Sequence, residues 1–206
     1  MTIGTIVAVA VAALTASTNS TISPGHHSSQ SMVVATSWAA AASSKAVTGP
    51  SKAETLEFIR SKIGQQGKIN YAGSTHDAAD NSDWVNQFSV EATNVTADPA
   101  TCAVKFHWTT AVDGKEAQDF DTSLEFANLE SVVLTSMEQD VNRTSAKAGH
   151  PTWTTRFNPS IWVVTSTLPD GTNYVVDFQD SDLAERVVKA MTHAINLCGG
   201  KKREAF

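Results

Sequence analysis

The chain has 206 residues, 41% hydrophobic and 17% charged, enough for one domain with a proper core. Its formal net charge of -6 at pH 7, with no concentrated Lys/Arg surface, argues against a nucleic-acid partner, because neutralising phosphates takes a basic face. The short basic run Lys201, Lys202 and Arg203 is too small to reverse that balance and reads as a complement to a helix C-terminus.

Residues 3–16, IGTIVAVAVAALTA, form an uncharged apolar run too short to span a bilayer and followed by small polar residues. Residues 1–16 therefore read as a secretory signal peptide, although no positive side chain precedes the run, and the expected location is secreted or periplasmic without stable membrane insertion. Residues 17–52 are rich in Ser, Ala and Thr and carry little charge, the composition of a disordered linker. His26 and His27 stand there as an adjacent pair with no further ligands, too few to define a metal site. A single domain is expected over 53–206.

Residues 51–66 place Leu56, Ile59 and Ile63 at helical spacing, with Ser51 and Glu54 as a capping box and Gly67 as a stop. Residues 68–72 read as a brief strand and 74–83 as a polar loop. The β-rich region follows. Its expected strands are 84–96, 102–112, 117–126, 131–141, 152–157, 160–168 and 173–178. Asp113-Gly114 and Asp170-Gly171 are hairpin signals, and Asn158-Pro159 marks a bend or edge. Residues 142–151 read as a loop.

Residues 180–198 form the segment with the clearest apolar face: Leu183, Val187, Ala190, Met191, Ala194, Ile195 and Cys198 share one stripe, opposite Glu185, Arg186, Lys189 and His193. Asp180 or Ser181 is the expected N-cap, Asp182 and Glu185 have capping-box spacing, and Gly199 and Gly200 end the helix. The stripe needs a sheet to cover it. Cys198 ends the apolar edge, and Cys102 shares a strand face with Val104, Phe106 and Trp108, so an exported chain is expected to bridge Cys102 to Cys198. Closing a loop of about 95 residues contributes roughly 4 to 5 kcal/mol in the chain-entropy account.

About seven short strands and a terminal helix resemble the pleckstrin-homology-like (PH-like) superfold over residues 84–200. The run DFDTSLEFANLESV is similar to its third and fourth strands, and DLAERVVKAMTHAINLCGG to the end of uncharacterised exported bacterial proteins. A meander of this kind curls into a small barrel or a pair of near-orthogonal sheets plugged by the terminal helix; the resemblance implies a seven-stranded antiparallel barrel capped by a C-terminal amphipathic helix, which with the short N-terminal helix at 51–66 makes a mainly β (α+β) domain. Lipid-binding members of that group hold inositol phosphates with several Lys and Arg on the first two strands. Residues 84–112 carry only Lys105, so that activity is not implied.

No Gly-rich phosphate loop, zinc spacing or nucleophile elbow is present, and no catalytic, cofactor or metal residue is assigned. Alternation turns His107 toward solvent, puts Asp119, Asp121 and Glu125 on a wet strand face, and leaves His193 on the polar flank of the last helix. Four indoles, Trp84, Trp108, Trp153 and Trp162, are many for so small a domain and form the candidate binding surface beside their role in packing. The functional expectation is a monomeric, non-catalytic binding or interaction module with a protein or peptide partner. The alternatives are a small-molecule or lipid carrier using the barrel interior and, last, a hydrolase.

Overall fold

The computed structural model describes residues 49–200. The expected signal peptide at 1–16, nearly all of the linker at 17–52 with His26 and His27, and Lys201, Lys202 and Arg203 lie outside the described residues. Helix α1, Lys52–Gln65, begins as the sequence requires: the Ser51 hydroxyl accepts from Glu54 N at 3.3 Å while Ser51 N donates to Glu54 Oε2 at 2.8 Å. Position 52, taken as the end of the linker, is thus already helical. Leu56, Ile59 and Ile63 are buried, each contributing about 1.5 to 3 kcal/mol.

Strands β1 (Lys68–Asp77), β2 (Ser82–Asp98), β3 (Ala103–Val112) and β4 (Lys115–Glu125) form an antiparallel meander. β1 runs five residues beyond the expected 72, and the expected loop at 74–83 shrinks to a tight turn. Its inward positions there are Gly73 and Thr75, which carry no hydrophobic signal. A Cβ on Gly73 would lie 2.9 Å from the rings of both Phe88 and Phe157, so close packing requires glycine there. Asp113 and Gly114 take φ of 51° and 75° between β3 and β4, the mirror-image turn that their sequence signals.

After β5 (Ser131–Ser136) the chain departs from expectation. The predicted strand at 131–141 ends at Ser136, and Met137–Lys147 is helix α2. Ser136 caps it, accepting from Gln139 N at 3.2 Å, and Glu138 and Asp140 sit at its positive end. Strands β6 (Trp153–Asn158), β7 (Trp162–Thr167) and β8 (Asn173–Phe178) follow, with a cis Asn158–Pro159 bond between β6 and β7. The last element is helix α3, Ser181–Leu197, capped by Asp180, whose carboxylate accepts from Leu183 N at 2.9 Å; the Asp182–Glu185 box is not used.

The eight strands make two antiparallel sheets, β4-β3-β2-β1-β6 and β5-β7-β8. They do not close into a seven-stranded barrel. At one end of the larger sheet α2 packs against β6 where a closing strand would have to lie, and at the other end β4 pairs, among the described residues, only with β3. Helix α3 packs on α1 and on all three strands of the smaller sheet, burying Ala184, Val187, Met191, Ala194 and Ile195. Leu124, Phe126, Phe178 and Val164 fill the core with them. The Cys102–Cys198 disulfide is present, with its Cα atoms 5.9 Å apart and a sequence separation of 96. It ties the end of α3 to the entry of β3. There Phe126 N donates to Cys102 O at 3.0 Å, so the bridge also reaches the end of β4.

Candidate functional site

The four tryptophans do not form one surface. Trp108 is 7% exposed and packs edge-on to Phe106 in the core, and Trp162 is half-buried on the smaller sheet. Trp84 and Trp153 do meet, on β2 and β6 at either side of β1. β1 pairs Thr75 with Trp84 on one side and Asp77 with Trp153 on the other, bringing the indoles to the same face with centroids 5.1 Å apart.

This corner is braced from several elements. Trp153 Nε1 donates to Asp77 Oδ2 at 2.8 Å, and the His150 ring stacks on the Trp153 indole at 3.9 Å. Asp77 also accepts from Ala79 N at 2.9 Å; that bond, followed by one from the Thr152 side chain, holds its carboxyl below the usual range. Beneath the indoles the Thr75 and Thr155 hydroxyls bond each other at 2.9 Å, and Tyr71, Phe88 and Phe157 form the next aromatic layer. The corner offers aromatic surface and one carboxylate.

A second cluster lies on the outer face of β3 and β4. His107 donates from Nε2 to Asp119 at 2.7 Å and from Nδ1 to Asp121 at 3.0 Å. Both nitrogens act as donors only in the imidazolium, and the hydrogen bond to Asp121, the largest effect, raises the pKa of His107. Sequence alternation correctly sets His107 and the carboxylates outside the core. It carries no information on register, which is what places His107 directly opposite Asp121. His193, expected on a solvated flank, donates from Nε2 to Pro50 O at 3.1 Å and so fastens α3 to the start of α1.

The two edges of the larger sheet are treated differently. Along β6, the Asn142 side chain of α2 accepts from Thr155 N at 2.7 Å and donates to Thr155 O at 3.0 Å, the two bonds a neighbouring strand would make. Along β4 no strand follows among the described residues. An open groove of about 440 Å³ lies elsewhere, between the end of α1 and the irregular stretch of β2, lined by Arg60, Gly64, Glu91, Asn94 and Val95.

Buried chemistry is concentrated at Asp177 on β8. It is 5% exposed, its Oδ1 has no hydrogen-bond partner, and burial pushes its pKa up to about 7, opposed by the Tyr71 hydroxyl. Tyr71 is in turn pushed up by burial first and by the charge of Asp177 second. Gln66 at the end of α1 donates to the Asp177 backbone carbonyl at 3.0 Å. Strand alternation alone places Asp177 beside two core residues and gives no hint of its burial.

Among the described residues, no group of three His, Cys, Asp or Glu side chains is arranged to hold a metal ion, and no helix is long and apolar enough to cross a membrane. Comparison with protein-family models, curated proteins and solved structures returns no match for this chain.

Proposed function

We propose that this chain is an exported, non-catalytic binding module on a PH-like scaffold, acting through its surface. The observation that carries this reading is a filled interior combined with a sheet edge that no other described strand covers. Leu124, Phe126, Leu129, Ile161, Val164, Phe178 and Met191 are each 0 to 1% exposed, so the space a carrier would need is occupied by side chains. The scaffold assignment is supported at the level of a mainly β chain in two antiparallel sheets, of five and three strands, whose final helix packs on the smaller sheet and on α1. Export is supported by the apolar run at 3–16 and by a disulfide that an oxidising compartment would preserve.

Native mass spectrometry of the mature protein from its own source tests the reading. The expected native mass is that of the polypeptide less about two hydrogens for the disulfide, alone or increased by a bound polypeptide. A small-molecule excess that disappears on denaturation would overturn it in favour of a carrier.

A further inference from the structure

The larger sheet ends in β4, and the register of β4 against β3 decides what that edge presents. Asp119 lies opposite Thr109, Asp121 opposite His107 and Glu125 opposite Ala103, so these carboxylates share the outer face. Simple alternation would turn Glu116 to the other side. The register shift between Thr110 and Ala111 sets Glu116 opposite Ala111, on the same face as the others. Four carboxylates of β4 therefore project from that face against a single lysine, Lys105 of β3 opposite Ser123, since Lys115 pairs with Val112 on the other face. On that inner face Phe120 stands opposite the buried Trp108 and is 38% exposed, one of three large apolar side chains left open among the described residues.

Resting on the surface-binding reading above, we propose that the β4 edge accepts an extended, basic segment of another protein as an added strand, in which Lys or Arg alternates with apolar residues. Backbone pairing supplies the attachment. The two-residue period then sends the basic side chains toward Glu116, Asp119, Asp121 and Glu125 and the apolar ones toward Phe120. A second copy of this chain is the wrong occupant, because edge-to-edge pairing would bring two rows of carboxylates together. The opposite edge is unsuited, because the Asn142 amide already makes the bonds there.

The test uses the full mature chain with a synthetic ten-residue peptide of alternating Lys and Val, and a control of the same composition in two blocks. Expected are binding of the alternating peptide, amide perturbations confined to β3 and β4, at least a tenfold stronger affinity than for the block control, and weakening with salt. Substituting Glu116→Gln together with Asp119→Asn and Asp121→Asn should weaken binding at least tenfold, and Phe120→Ser should do so independently through the other face. Unchanged far-ultraviolet circular dichroism and unfolding midpoint qualify each variant as folded. No binding, equal binding of the block control, perturbations centred away from β4, or undiminished affinity in both folded variants overturns the edge proposal. None of these outcomes touches the surface-binding reading, which falls only to a retained small molecule in the native mass.

Discussion

Asp177→Asn is the substitution whose effect the structure sets most sharply. The carboxyl is 5% exposed with Oδ1 unpartnered, and its pKa rises from 3.8 to about 7, chiefly through burial. A rise of about three pH units, at roughly 1.4 kcal/mol each, corresponds to a penalty on the order of 4 kcal/mol for holding the ionised form in the fold. Because the folded pKa lies above the unfolded one, the stability associated with the neutral carboxyl is fully present below pH 3.8. It is lost as the pH rises through about 7. The amide of Asn cannot ionise. In urea unfolding at pH 4 and pH 8, the wild-type minus variant difference should fall by a few kcal/mol between the two, the variant being the more stable at pH 8. Histidines and surface carboxylates titrate in both proteins and cancel in that difference. Parallel pH profiles for the two proteins would refute the reasoning, for they would mean that Asp177 reaches water or a cation in solution.

Four further outcomes are expected. Cys102→Ser with Cys198→Ser should lower stability by about 4 to 5 kcal/mol, read as the shift in urea midpoint and matched by reduction of the wild type, since the bridge spans 96 residues. Asn142→Ala leaves the Thr155 N–H and C=O without their partner, so unfolding should show a loss of about 1 to 3 kcal/mol and sedimentation should show association through β6. Gly73→Ala should cost about 1 to 3 kcal/mol in the same unfolding assay, because the rings of Phe88 and Phe157 stand 2.9 Å from the new methyl. In an NMR titration His107 should have a pKa above 6.5, and Asp121→Asn should lower it more than Asp119→Asn. The stabilising contribution of these ion pairs is then present below the unfolded pKa of His107 and lost as the pH rises through the folded one.

Where side chains alternate or repeat with a clear period, the sequence predicts the element: α1 with its Ser51–Glu54 box, α3 with its stripe, the Asp113-Gly114 hairpin, and the pairing of Cys102 with Cys198. It fails where the inward residue is small or polar. Gly73 and Thr75 carry β1 onward without a hydrophobic pattern, because aromatic rings from neighbouring strands cover them. Helix α2 buries only Ser145, so its apolar periodicity is absent. The legible signal is the Ser136 to Gln139 spacing of a helix start, and the strand-like run Val132, Val133, Leu134 and Thr135 masks it. The tryptophans fail as a set for a different reason: composition counts indoles, but only strand pairing decides that Trp84 and Trp153 meet while Trp108 sinks into the core. Asp177 and the register of Glu116 are likewise properties of pairing and of the second sheet, neither of which a single strand's pattern contains.

The same limit bears on the charged edge. A row of acids on an end strand has a sufficient purpose in repelling other copies, and alternation alone cannot separate that purpose from recognition. The register shift discriminates, because it turns Glu116 onto the face of Asp119 and Asp121 when repulsion would be served as well by charges on both faces. The exposed Phe120 on the opposite face discriminates further, since a strand kept only from self-pairing gains nothing from open apolar surface. An edge that repels its own copy and attracts a basic strand obtains specificity from both signs of one interaction. His107 then sets its strength: as an imidazolium it offsets part of the charge of Asp119 and Asp121, and as it loses its proton with rising pH the edge becomes more acidic. Affinity for a basic strand should therefore rise as the pH passes the folded pKa of His107. A His107→Gln variant should hold the higher affinity on both sides of that pH, and a variant that keeps the wild-type pH dependence would remove His107 from the account.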